Sequence, residues 1–142
     1  MIVLDTNVVS EVMRAEPNSD VVAWLDGLPR GEIWTTTITV GEIAAGIALL
    51  PAGIRRTQLA DAFHLALDGF DDRILPFTTA TALGYGAVIA ARTAAGSPIS
   101  IADAQIAAIV VGSDGTLATR NLSDFVGTGV DLVNPWDARA QG

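Results

Sequence analysis

The stretch Ile2-Val3-Leu4-Asp5-Thr6-Asn7-Val8-Val9-Ser10-Glu11 decides how this chain is read. Ile2 to Leu4 is a short apolar run with two β-branched residues, the pattern of a buried strand. Asp5-Thr6-Asn7 then supplies N-cap chemistry for a helix carrying Val8, Val9, Val12 and Met13. Asp5 closes the strand against apolar neighbours. An unpaired charge in such a place costs several kcal/mol or more. Asp5 is therefore either a helix cap or one member of a site.

The same alternation continues outward. Pro17-Asn18-Ser19 breaks the first helix, and a second is expected over 20–28, ended by Pro29 and Gly31. Ile33 to Thr36 reads as a strand. Thr39 to Leu50 has helical spacing and stops at Pro51-Ala52-Gly53; an amphipathic helix over 55–67 then forms a hairpin with it. A strand is expected over 73–76, a long Ala-rich helix over 80–95, and a turn at Gly96-Ser97-Pro98. Ser100 caps a helix over 101–111. Strands over 117–119 and 131–133 complete the pattern. Strands alternating with helices predict a three-layer α/β/α sandwich around a mostly parallel sheet. In open sheets of this kind ligands gather outside the carboxyl ends of the strands, where Asp5 and Asn121 are expected. One domain is expected over residues 1–136, with 137–142 as a loose tail.

Composition bounds the function. The 142 residues suit one domain, and half of them are apolar. No stretch reaches the roughly 18 apolar residues of a membrane span, and a start with no basic region and an acid at Asp5 argues against a secretory signal. The absence of cysteine excludes disulfides and zinc–thiolate sites and suits a reducing cytoplasm. The net charge is −8, and every basic residue is arginine. Such a chain is a poor non-specific binder of nucleic acid, whose affinity comes largely from phosphate neutralisation. Local arginines and bound cations would have to offset the repulsion, or the partner is a basic protein segment.

Four acids stand at the ends of apolar runs: Asp5, Glu42, Asp103 and Asp124. Each has a plain structural alternative. Asp5 caps a helix; Glu42 favours the positive end of a helix dipole; Asp103 completes a capping box with Ser100; Asp124 caps a turn. As a set they suggest oxygen ligands without His or Cys, suited to Mg²⁺ or Mn²⁺. Thr119 and Asn121 flank the last acid and can bond carboxylates or water. The single histidine, His64, lies mid-helix and reads as structural or surface.

In their order these motifs resemble the PIN-domain ribonucleases, most closely the VapC-type toxins of bacterial type II toxin–antitoxin systems and their FitB-like subgroup. The opening stretch resembles the first motif, Thr39 to Gly46 the second, Ile99 to Ala108 the third, and Ala118 to Phe125 the fourth. The resemblance implies a Mg²⁺-dependent endoribonuclease with Asp5, Glu42, Asp103 and Asp124 as catalytic acids, and Asp5 and Asp103 as metal ligands. Asn121 contests the fourth place. Thr6, Asn7 and Thr119 would orient carboxylates or water. Arg14, Arg92 and Arg120 are candidate RNA contacts, with Arg55 and Arg56 behind them. The resemblance further implies an antitoxin partner and a homodimer. The rival readings are a catalytically silent RNA- or protein-binding module, a metal-dependent phosphatase or DNA nuclease, and a structural domain whose acids are only caps.

Overall fold

A computed structural model describes residues 1–137. Its elements follow in the order β1 (Ile2–Leu4), α1 (Thr6–Val12), α2 (Ser19–Asp26), β2 (Ile33–Thr36), α3 (Thr37–Ala48), α4 (Ile54–Phe70), β3 (Ile74–Leu75), α5 (Thr79–Ala94), α6 (Ile101–Gly112), β4 (Thr116–Ala118) and β5 (Asp131–Val133). Single 3-10 turns occupy Arg30–Glu32 and Leu122–Asp124. The five strands form one sheet in the order β3-β2-β1-β4-β5, and every pairing is parallel.

Strand pleating explains the layers. Successive side chains point to opposite faces, so Val3 and Leu117 join one core while Leu4 and Ala118 join the other. The first core is closed by Val88 of α5, Ala104, Ile106, Ala107 and Val110 of α6, and Phe125. The second takes Val8, Val9, Val21, Ile43, Phe63 and Phe70 from α1 to α4. Helices thus cover both faces of the sheet, and its middle strand β1 is wholly apolar, as strands buried on both faces tend to be. Among the described residues no helix is long and apolar enough to cross a membrane.

The helix starts are set by local chemistry. Thr36 Oγ1 accepts from the Thr39 amide, which begins α3 at Thr37, two residues before the periodicity predicts. Asn18 Oδ1 accepts from the amides of Asp20 and Val21 to start α2. A reciprocal Thr78–Thr81 box starts α5. The predicted strand over 73–76 is only Ile74–Leu75, because Phe70 and Arg73 close a turn before it (Arg73 N to Phe70 O, 2.9 Å). Thr119, expected as the last strand residue, lies just beyond β4. At the expected tail, Asp137 is bonded to Asn134 through both its amide and its carboxylate; the remainder, 138–142, lies outside the described residues.

Candidate active site

β1 is the centre of the sheet. The chain runs from it to β2 and β3 on one side, then crosses to β4 and β5 on the other. The strand order reverses between β1 and β4, the position at which open α/β sheets form ligand crevices. Asp5 leaves β1 there and Thr119 leaves β4 beside it. The Asp5 amide donates to Ala118 O at 2.9 Å, and Thr119 Oγ1 donates to Asp5 Oδ2 at 2.8 Å.

Asp5 is both of the things its sequence allowed. It is the N-cap of α1, with Oδ1 accepting from the Thr6 amide at 2.8 Å. It is also a buried carboxylate, 4% exposed, facing other acids. Burial pushes its pKa up to about 6; the bonds from Thr119 and the Thr6 amide hold it down, and the charges of Asp103 and Glu42 push it further up. A carboxylate that accepts three hydrogen bonds and still sits two pH units high is strongly desolvated.

A polar net fixes this carboxylate. Asn7 Nδ2 donates to Thr119 Oγ1 at 3.2 Å and reaches Asp5 Oδ2 at 3.4 Å, while Asn7 Oδ1 accepts from the Arg120 amide. The Asn121 amide donates to Thr119 Oγ1 at 3.1 Å. Thr119, wholly buried, is thus the joint between β1, α1 and the segment after β4. On the other side Thr6 Oγ1 donates to Glu42 Oε1 at 2.7 Å and lies 3.2 Å from Thr39 Oγ1. Thr39 is buried here and was not singled out from the sequence; its only signal was a hydroxyl opening an otherwise apolar helix.

Asp103 sits in the first turn of α6, whose N-cap Ser100 accepts from the Asp103 amide at 3.2 Å. Burial pushes the Asp103 pKa up; the Ser100 bond opposes this, Asp124 and Glu42 push the same way as burial, and Arg92 pulls down. Asp5, Glu42, Asp103 and Asp124 therefore share one electrostatic neighbourhood. Asn121 contributes its backbone amide to Thr119, and it is the charge of Asp124 that acts on Asp103.

The donor set is all oxygen and carries excess negative charge, which fits a hard divalent cation and not zinc. Among the described residues no three acidic or imidazole side chains close around one point.

The arginines separate. Arg14 is exposed, although its Nη1 pairs at 3.0 Å with the buried Glu11. It lines a cleft of about 670 Å³ that shares Met13, Arg55 and Leu59 with a second of about 310 Å³, and that second cleft reaches Thr6 and Glu42. Arg120 is exposed and stacks over Trp136 at 5.0 Å. Arg92, expected as a surface contact to RNA, is instead buried, with Nη1 donating to Ser123 O and Val126 O at 3.2 and 2.7 Å. Sequence distance from the motifs identified its neighbourhood but not its direction. His64 is exposed on α4, in tilted contact with Phe63.

A parallel five-stranded sheet with acids meeting at its reversal point defines a class of α/β domain. Residues 2–125 match the model of the PIN domain, and the chain belongs to the PIN-domain family. Three relatives match along nearly their whole length. The plasmid stability protein StbB of Pseudomonas syringae pv. tomato is 42% identical, covering 97% of this chain and 100% of its own. The VapC ribonuclease Y4jK of Sinorhizobium fredii is 39% identical, with 96% and 99% covered. Toxin FitB of Neisseria gonorrhoeae is also 39% identical, with the same 96% and 99%. The crystal structure of FitAcB from Neisseria gonorrhoeae superimposes with a TM-score of 0.88 at 39% identity, over 96% of this chain and 99% of that one.

Proposed function

We propose that this chain is a Mg²⁺-dependent endoribonuclease and the toxin of a type II toxin–antitoxin pair. The observation that carries the reading is Asp5: a buried carboxylate at the sheet's reversal point, bonded by Thr119 and opposed by Asp103 and Glu42. A structural domain with four capping acids has no reason to bring those acids into mutual repulsion. A relative named a VapC ribonuclease, 39% identical from end to end, supports RNA as the substrate.

Asp5 and Asp103 would hold the ion, which when bound supplies charge neutralisation and Lewis acidity at the scissile phosphate. Thr119, Asn7 and the Thr6 amide hold the Asp5 carboxylate in one orientation, so no reorganisation is needed when substrate arrives. Glu42, kept in place by Thr6 Oγ1 and exposed to solvent, is the group suited to take a proton from the attacking water at its free Oε2 face. Asp124 adds the charge that makes the pocket cation-dependent. No covalent enzyme intermediate is involved. Arg14 and Arg120, both exposed, would contact RNA phosphates.

The same acid pocket attracts a basic inhibitor, and the relatives named toxin FitB and plasmid stability protein support an antitoxin partner; the chain would act as a homodimer. The test is incubation of purified protein with total RNA, single-stranded DNA and a phosphomonoester, with Mg²⁺ or with excess chelator. RNA cleavage only with Mg²⁺, lost in Asp5→Asn, is expected. Wild-type cleavage by Asp5→Asn refutes the site; cleavage of DNA or the monoester alone refutes the substrate class.

A further inference from the structure

Arg92 is the only arginine that is buried among the described residues, at 8% exposure. It rises from the last turn of α5 and its guanidinium crosses to the segment after β4. There a single Nη1 serves two carbonyls, Ser123 O at 3.2 Å and Val126 O at 2.7 Å. These carbonyls bracket Asp124 and Phe125. Phe125 is sunk in the core at 1% exposure, so the backbone is gripped from inside by the ring and from α5 by the guanidinium. Asp124, between them, is exposed and close enough to Asp103 to oppose its ionisation. The Leu122–Asp124 turn has no side-chain cap of its own. Its own bonds are short-range, from Asp124 N to Asn121 O and from Phe125 N to Leu122 O, with Thr128 Oγ1 donating to Phe125 O; the tie to α5 is made by Arg92.

A buried guanidinium is a costly way to hold two carbonyls. Its Nε is buried without a hydrogen-bond partner among the described residues, and an amide side chain could cap one carbonyl without carrying a charge. What the guanidinium adds is one nitrogen with two N–H groups, one for each carbonyl, carried on a rigid plane that reaches far from a neighbouring helix. We propose that Arg92 is a positioning residue of the acid site: it straps the Ser123–Val126 segment to α5 and so fixes Asp124 against Asp103 in the arrangement that binds a divalent cation. This rests on the metal-dependent reading given above.

The sign of one measurement separates this from simpler roles. Removing a cation beside a carboxylate pocket, with the geometry intact, tightens binding of another cation. Removing a strap that places a ligand weakens it, by about tenfold or more where outer residues orient metal ligands. A residue that only supports the fold lowers the melting temperature and leaves metal affinity unchanged. The experiment titrates Mn²⁺ into the full chain by calorimetry for wild type, Arg92→Gln, Arg92→Lys, Asp124→Asn and the Arg92→Gln/Asp124→Asn double variant, with melting curves in chelator alongside.

The expected result is Mn²⁺ affinity about tenfold weaker in Arg92→Gln, weakened less in Arg92→Lys, and no more than about twofold weaker still in the double variant. Unchanged or tighter Mn²⁺ binding by Arg92→Gln overturns the proposal, as does a double variant whose loss is the full product of the singles. Should Arg92→Gln fail to fold, Arg92→Lys decides: it keeps the charge on a shorter side chain that cannot hold both carbonyls, and wild-type Mn²⁺ affinity in it overturns the proposal. Asp5→Asn in the same titration isolates the underlying reading. If it binds Mn²⁺ like wild type, the metal site itself is wrong; if it does not and Arg92→Gln does, only the strap is wrong.

Discussion

Replacing Asp5 by Asn should abolish cleavage and, at neutral pH in excess chelator, relieve the fold of a penalty. In the folded protein the Asp5 carboxyl titrates near 6, pushed up mainly by burial. In the unfolded chain it titrates near the ordinary value of about 3.9. A carboxyl whose folded pKa is raised favours the folded state while protonated, below about pH 4. That contribution is lost as pH rises through about 6. At 1.36 kcal/mol per pH unit the loss totals about 2 to 3 kcal/mol between pH 3.5 and 7. Asn cannot ionise and carries no such dependence. Its amide also faces Thr119 and Asn7 differently, which offsets its stability by some constant amount at every pH. The informative quantity is therefore not either stability but their difference as a function of pH. Urea denaturation of both proteins at half-unit steps should show wild type losing about 2 to 3 kcal/mol relative to Asp5→Asn across that window. Asp103, also raised by burial, contributes the same sign in both proteins. Adding Mg²⁺ at pH 7 should raise the stability of wild type and not of the variant. A difference that stays flat from pH 3.5 to 7 would show that Asp5 is not a desolvated, repelled carboxylate, and the argument for the site would fail with it.

Three further outcomes follow from single contacts. Thr119→Val removes the hydroxyl that donates to Asp5 Oδ2 and accepts from Asn7 and the Asn121 amide; it should cost about 1 to 3 kcal/mol in urea unfolding and move the acid limb of the cleavage pH profile upward. An acid limb that stays in place would exclude Thr119 as the restraint on Asp5. Phe125→Ala empties a fully buried site beneath Asp124 and should destabilise by about 3 to 5 kcal/mol, read as a lowered urea midpoint. Arg120→Ala should weaken RNA binding in chelator and reduce the salt slope by about one phosphate contact without changing the melting temperature by more than a degree or so; an unchanged slope would leave Arg120 as a partner of Trp136 alone.

Much of this molecule was legible because it is local. The strand at Ile2–Leu4, the cap at Ser100, and the breaks at Pro17 and Pro51 all depend on residues within a turn of one another; the Asn18 cap was hidden inside one of those breaks. The alternation of strand and helix predicted a parallel sheet with two covered faces, and the reversal between β1 and β4 is what such a fold builds. Thr36 was read as a strand end when it is also the cap that starts α3, because a β-branched residue satisfies both patterns.

What the sequence by itself determined is the stock of parts: a cysteine-free chain with four acids at the ends of apolar runs, each with a local structural reading of its own. What tertiary structure alone decided is which parts meet. Asp5 and Thr119 are 114 positions apart and bonded at 2.8 Å, a fact of sheet order that no window of sequence contains. Arg92 was placed near the site by the motif map, yet its guanidinium turns inward to two backbone carbonyls and not outward to a phosphate. The physical reason is the same in both cases. Propensity and capping act over a few residues, whereas burial and charge act through space. Whether an acid is a cap or a ligand depends on what other charges the sheet brings beside it.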